Sequence, residues 1–381
     1  MIEFTLSEEH KTMQKMAFEF ARDKLRPVSA YYDECEEDPV DLFKEMSAQG
    51  FASMTFPEKY GGEGLDEITA SIVAEELGWG CAGITGSGML NNPLGAYPIL
   101  LGGNEEQKER FIPPLCEDKF ISFCLTEPDA GSDVASAKTT AKKQNDYYII
   151  EGNKCFITNG GFADYYTVFA SVDRNKGAKG LTAFVVEKDT PGLSAGKKEK
   201  KMGIRASNTS EVIFDNVKVP QENRIGEEGK GFSLAMKTLD HTRPMIGAIA
   251  VGIARAAFET ARDYVKERKQ FGRSLSQFQV TQFKLANMAT QIDAARLMIW
   301  RSAYMASSGA KNFSVESAMA KAFASDVAMW VTTEAVQLMG GYGYSKEYPV
   351  EKFMRDAKIT QIYEGTNEVQ RMVIAGGILR E

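Results

Sequence analysis

Hydrophobic positions change their period twice along the chain. From Ser7 to Leu25 the apolar residues Met13, Met16, Ala17, Phe20 and Ala21 recur at the spacing of one helical face. Ser7 stands where a capping hydroxyl is wanted and Pro27 where a helix stops, so the pattern predicts an amphipathic helix. Helical patterns follow at Val40 to Gln49, Ile68 to Leu77, Pro93 to Leu101 and Glu105 to Leu115, punctuated by Gly50, Gly61, Gly62, Gly78 and Gly102. Near Ile121 the texture turns β-rich, with segments at Tyr147 to Glu151, Cys155 to Thr158, Tyr165 to Ser171, Leu181 to Glu187 and Val212 to Phe214. No helical pattern separates them, which predicts an antiparallel sheet or small barrel and not a doubly wound nucleotide fold. After Gly229 and Gly231 the helical period returns at Phe232 to Arg243, Ala248 to Glu267, Ser276 to Ser307 and Val315 to Leu338. An apolar face such as Leu285, Met288, Ile292, Ala295 and Ile299 needs partners, and a four-helix bundle supplies them. The expected fold is mainly α with a central β domain. It comprises an N-terminal helical domain over 1–121, an antiparallel barrel-like β domain over 122–231 and a C-terminal four-helix bundle over 232–381.

Composition narrows the function. With 45 Lys plus Arg against 52 Asp plus Glu, the formal charge of -7 argues against general affinity for nucleic acid or an anionic membrane. The densest basic run, Lys197, Lys198, Lys200 and Lys201, reads as a solvated turn. The five cysteines, Cys35, Cys81, Cys116, Cys124 and Cys155, form no C-x-x-C pair and have only His10 and His241 to help them, so reduced, packed thiols are expected and a metal site is not. The acidic and polar start shows no signal peptide, and no run reaches the ~18 apolar residues of a membrane span. The expectation is a cytoplasmic protein.

Chemistry-bearing residues gather in a few stretches. Phe123, Cys124, Leu125, Thr126, Glu127, Pro128, Asp129, Ala130, Gly131, Ser132 and Asp133 form a hydroxyl-bearing loop of small residues where helices give way to strands. Such a loop can bring backbone amides to a planar ligand, although a plain Pro-Gly turn reads the same way. Downstream, Gln337, Leu338, Met339, Gly340, Gly341, Tyr342, Gly343 and Tyr344 end one helix, and Arg355, Asp356, Ile362, Tyr363, Glu364, Gly365 and Thr366 lead towards another.

In order and spacing these stretches resemble the acyl-CoA dehydrogenase family, and the resemblance covers essentially the whole chain. It implies FAD held between the β domain, the bundle and a neighbouring subunit. Flavin contacts would fall on Phe123, Leu125, Thr126, Gly131 and Ser132, and on Phe156, Ile157 and Thr158 of a strand, with Thr158 near the reactive edge of the ring. The family often has Trp where Phe156 stands. From another subunit, Arg268, Gln270, Phe271, Phe278, Gln279, Gln337, Leu338, Gly340 and Gly341 would meet the pyrophosphate and adenine, Arg268 as a forked donor to phosphate. Thr366 and Glu368 complete that set.

The resemblance makes Glu364 the catalytic base, which takes the proton beside a thioester carbonyl while hydride leaves the next carbon for flavin. Its own backbone amide and a flavin ribityl hydroxyl would stabilise the enolate. Some relatives carry the base at the position of Thr242, where threonine cannot serve. Ser132, Asp240, Arg243 and Gly365 would touch the acyl-CoA; an ordinary ion pair is the alternative for Arg243, and His241 reads as a satisfied helical histidine. Many relatives have arginine where Gly376 stands.

The tail-lining segment Gly88 to Leu101 holds Asn91, Asn92, Pro93, Leu94 and Pro98 but no Lys or Arg, whereas a dicarboxylic acyl group would want a cation. A short, medium or alicyclic monocarboxylic acyl-CoA is therefore expected, the asparagines either binding the tail or closing a turn. An electron-transfer flavoprotein as acceptor and a homotetramer complete the expectation. A non-catalytic scaffold that kept the fold, and an oxidase passing electrons to oxygen, are the rivals.

Overall fold

The computed structural model describes residues 5–380. Six helices come first: α1 (Glu8–Phe20), α2 (Ser29–Cys35), α3 (Val40–Ala48), α4 (Glu67–Thr85), α5 (Asn91–Gly102) and α6 (Glu105–Glu117). Ser7 caps α1 by accepting from the His10 N–H at 3.2 Å. Pro27 does not stop the chain there: it sits in a 3₁₀ turn, Arg26–Val28, that passes directly into α2. Gly78 does not end α4 either, because the helices at this crossing need small residues. A Cβ on Gly252, on the facing helix, would lie 2.3 Å from the Glu75 carbonyl oxygen.

Eight strands form one sheet: β1 (Ile121–Cys124), β2 (Thr140–Gln144), β3 (Tyr147–Thr158), β4 (Tyr165–Ser171), β5 (Leu181–Glu187), β6 (Leu193–Lys198), β7 (Thr209–Pro220) and β8 (Arg224–Ile225). The order β6-β7-β3-β2-β4-β5-β8 is an open path, with β1 also on β4. Most pairs are antiparallel, but β1 and β2 each meet β4 in parallel. The two segments expected at Tyr147 and Cys155 are one strand, β3, whose register slips against β7 between Lys154 and Ile157. The lysine run is no solvated turn: Lys198 ion-pairs with Asp38 at 2.7 Å, and the Lys201 ammonium donates to the Ser207 carbonyl.

The chain ends in α7 (Gly231–Glu267), a small hairpin of β9 (Lys269–Gln270) and β10 (Arg273–Ser274), α8 (Gln279–Ser307), α9 (Ser314–Met339), α10 (Val350–Thr360) and α11 (Asn367–Ile378). Two helices expected before Arg268 are one 37-residue helix that runs through Pro244. Proline removes the N–H that the Asp240 carbonyl would have received, and the Ser317 hydroxyl of α9 donates to that carbonyl at 2.8 Å instead. Helix α7 is long and apolar enough to cross a membrane, but 78% of its most apolar stretch is buried within the protein, where the helix packs on α4, α8, α9 and α10 as a core helix does. A buried ion network fastens three of these: Arg255 of α7 and Arg296 of α8 both hold Glu75 of α4, and Arg255 also holds Glu76.

Candidate active site

The loop after β1 owes its shape to a lysine inside the sheet. Lys154 is fully buried, and its ammonium donates to the Leu125 carbonyl at 3.0 Å and to Glu127 at 2.7 Å. Glu127 in turn accepts from the backbone N–H groups of Lys138 and Thr139. Burial pushes the Glu127 carboxyl up, but the ammonium and these donors outweigh it and leave it below the usual range. Two residues along β3, Phe156 takes φ +56°, a backbone form that a bulky residue adopts under constraint, and the residue is 64% exposed. The slipped register therefore turns Phe156 out towards the same loop.

Between that loop, α4, α5, α7 and the turn before α11 lies a cavity of about 450 Å³, within the ordinary size of small-molecule sites. Of the residues singled out in the sequence, Phe123, Leu125, Thr126, Gly131, Ser132, Phe156, Ile157, Thr158, Arg243, Glu364 and Gly365 line it. Asp240 lies behind Arg243, paired to it at 3.0 Å and receiving the Ser314 hydroxyl. Thr366 caps α11, and Glu368 is exposed on its first turn. Neither lines the cavity. The lining also includes Ala82, Gly86 and Ile204, which lie outside every stretch singled out in the sequence. Asn91 and Asn92 do not close a turn: they open α5, and their amides donate to the distant Ile121 and Lys119 carbonyls at 2.6 and 3.0 Å, tying the helix to β1 and the segment before it, with Asn91 also in the cavity lining.

Glu364 sits in a left-handed turn, with φ 52° followed by 92° at Gly365. One carboxyl oxygen, Oε2, accepts from the Thr242 hydroxyl at 2.7 Å, while Oε1 is shielded from solvent without a partner. Burial raises the carboxyl to about 7, against the opposing pull of the Thr242 hydroxyl, Arg243 and Lys321. A buried carboxyl poised near neutrality, with one lone-pair edge free, is equipped to take a proton from a ligand in the cavity. Arg243 is itself buried, its guanidinium lowered by burial, and donates to the Glu364 carbonyl at 3.1 Å. His241 stacks on Tyr97 with ring centroids 5.0 Å apart and faces Glu67, away from this machinery.

A second group stands apart. Arg268, Gln270, Gln337, Leu338, Gly340 and Gly341 share a shallow hollow with Tyr264 and Tyr342 on the far part of the bundle. Phe271 and Phe278 pack edge to face beside it, Phe271 being 93% exposed at φ +54°. Gln279 opens α8 next to them.

The residues present fit FAD. Gly131 leaves open space where a Cβ would stand, Thr126, Ser132 and Thr158 bring hydroxyls to a largely apolar wall, and Oε1 of Glu364 lacks a protein partner.

Comparison with known proteins agrees. The chain matches the N-terminal domain of acyl-CoA dehydrogenase over residues 7–119, the middle domain over 122–217 and the C-terminal domain over 229–379. It is 48% identical over 381 residues to the short-chain specific acyl-CoA dehydrogenase of Clostridium acetobutylicum, covering 100% of both chains. The solved butyryl-CoA dehydrogenase from Megasphaera elsdenii superposes with a TM-score of 0.97 at 49% identity, again over 100% of both chains. A chain solved in work on the electron transferring flavoprotein of Acidaminococcus fermentans superposes equally well, TM-score 0.97 at 47% identity over 100% of both. The chain therefore belongs to the acyl-CoA dehydrogenase family, whose members are FAD-dependent enzymes that dehydrogenate acyl-CoA thioesters.

Proposed function

We propose that this dehydrogenase acts on short-chain acyl-CoA thioesters, with Glu364 as the base that removes the α-proton. The shielded, partnerless Oε1 of a carboxyl raised to about 7 carries the reading. FAD, when bound, supplies the two-electron acceptor for the hydride that leaves the β-carbon. Phe123, Leu125, Thr126, Gly131, Ser132, Phe156, Ile157 and Thr158 are the residues that would hold the flavin end. The acyl group would lie against Ala82, Gly86, Leu90 and Leu94, an apolar surface without a cation. Closing an acyl chain over Glu364 excludes water and keeps the carboxyl a stronger base than an exposed glutamate. Arg243 and Asp240 orient the turn that carries it.

The separate hollow at Arg268 supports a homotetramer in which these residues reach the FAD of a neighbouring subunit, because one chain does not bring them to the cavity. Electron transfer to an electron-transfer flavoprotein is the matching acceptor reaction, by likeness to the Acidaminococcus study.

The test is anaerobic bleaching of bound flavin by acyl-CoAs from four carbons to long, branched, cyclic and dicarboxylic chains. Butyryl-CoA should bleach fastest, and Glu364→Gln should keep FAD and lose the reaction. Undiminished bleaching in that variant removes Glu364 as the base; bleaching by no thioester removes the whole reading.

A further inference from the structure

Three lysines are almost wholly buried, Lys154, Lys321 and Lys352. Two of them hold a carboxylate, Lys154 on Glu127 at 2.7 Å and Lys352 on Asp356 at 2.6 Å. Among the described residues Lys321 has no ion-pair partner within 4.0 Å. A buried ammonium without a counter-ion is costly, and a methionine would fill the same space without that cost. Its placement suggests what offsets it. From α9, the Lys321 ammonium donates to the Gly365 carbonyl at 2.8 Å and to the Asn367 side-chain oxygen at 3.0 Å.

Those two acceptors bracket the turn that carries Glu364. Two consecutive left-handed residues, at φ 52° and 92°, turn the carbonyls of Glu364 and Gly365 inward. Arg243 and Gln370 donate to the first carbonyl, and Gln370 and Lys321 to the second. We propose that Lys321 is a positioning residue for Glu364: its ammonium locks the Glu364–Gly365 turn through the Gly365 carbonyl and Asn367, and its charge favours the ionised base. The charged groups that face Lys321 are Glu364 in the turn, Arg243 from α7, Asp326 on its own helix and Glu368 from α11. Those facing Glu364 are Arg243 and Lys321, with Thr242 as an uncharged donor. Glu364 is foremost among the groups that favour the Lys321 cation, while burial brings the amine down to about 7. The two groups thus stabilise each other's charged form in a site too dry to stabilise either alone.

The inference rests on Glu364 being the base, so the primary readout needs no turnover. Infrared difference spectra of the FAD-loaded enzyme, taken across a pH series, follow the protonated-carboxyl stretch of Glu364, identified by its absence from Glu364→Gln. Lys321→Gln and Lys321→Met should move the midpoint of that band up by about one pH unit, the low end of a neighbouring charge's influence, while Lys321→Arg leaves it near the parent value. The pH dependence of flavin bleaching by butyryl-CoA should move in parallel, lowering the rate at pH 7 several-fold. An unmoved infrared midpoint in either neutral variant overturns the proposal, whatever happens to activity. Loss of FAD and of cooperative unfolding in both neutral variants, with Lys321→Arg intact, also overturns it, because the ammonium is then a folding requirement. A shifted band without a matching shift in bleaching keeps the Lys321 coupling and sinks Glu364 as the base.

Discussion

The Thr242 hydroxyl reaches Glu364 Oε2 at 2.7 Å, across the gap between α7 and the turn before α11. Threonine therefore holds one oxygen of the carboxyl and leaves the other, Oε1, to the cavity. The hydroxyl donates only to the lone pairs of the carboxyl, so it favours the ionised form. Thr242→Val keeps the branched shape inside α7 and removes the donor. Hydrogen bonds to charged groups contribute about 1.5–3 kcal/mol, so the carboxyl should rise by about one unit. Bleaching at pH 7 should slow several-fold and recover at higher pH. A pH profile unchanged in midpoint would mean that the hydroxyl does not act on the Glu364 carboxyl.

The raised carboxyl also weakens the fold at neutral pH. Glu364 is held at about 7 in the folded protein against an ordinary 4.5 in the unfolded chain. Between these values the folded state keeps a proton that the unfolded state has lost, so stability falls as pH rises through that window and is flat above it. The loss amounts to at most about 3 kcal/mol. Glu364→Gln, which cannot titrate, should match the parent near pH 4.5 and be more resistant to chemical denaturation above pH 7, both proteins being saturated with FAD. Equal denaturation midpoints at pH 7.5 would show that the site does not raise this carboxyl.

Much of this architecture could be read from the chain, and the failures share a cause. Strands β4 and β5 are near-continuous apolar runs, so periodicity found both ends of each. Strand β2 escaped because Lys142, Lys143 and Gln144 face solvent on an exposed edge of the pattern. The turn at Tyr363 to Thr366 carried its own signature. Lys154 and Lys321 did not, because a lysine in a sequence reads as surface, and only the fold reveals the buried oxygen acceptors that meet each of them. Thr242 was set aside as unable to act as a base, and its contact with Glu364 spans 122 residues of chain. Long-range pairing of polar side chains is invisible to any local pattern.

Glu127 should matter more than its place in a surface loop suggests. It answers the fully buried Lys154 and receives two backbone N–H groups. Glu127→Gln removes the charge and leaves the ammonium with neutral oxygens alone. Stranding one partner of a buried pair costs roughly 3–5 kcal/mol, and here the loop from Thr126 to Asp133 would loosen with it. The variant should lose flavin on gel filtration and denature at clearly lower denaturant. Full flavin occupancy with parental stability would contradict the role of this pair.

Acyl-chain selection should be adjustable at Gly86. It lines the cavity in a helical conformation, φ -59° and ψ -43°, and a Cβ there would meet nothing within 4 Å. Gly86→Leu should fit without backbone strain and fill space that the acyl tail would use. Each lost methylene of room is worth about 1–3 kcal/mol of discrimination, so octanoyl-CoA should lose roughly tenfold or more relative to butyryl-CoA. An unchanged ratio of their kcat/KM values would place the tail elsewhere in the cavity.

Phe271 and Arg268 test the assembly. A phenylalanine 93% exposed at positive φ makes little sense in an isolated chain, since it combines backbone strain with a wetted apolar ring. Both features are understandable if a neighbouring subunit covers the ring and if the Arg268 fork, which lies over the Tyr342 ring at 5.5 Å, meets a phosphate. Arg268→Ala should then keep the tetramer but lower flavin retention, seen as a reduced ratio of flavin to protein absorbance after gel filtration. Phe271→Asp should do more, weakening association so that light-scattering mass falls on dilution and flavin is lost with it. A Phe271→Asp protein that stays monomeric at every concentration yet holds FAD as firmly as the parent would show that a single chain completes its own cofactor site.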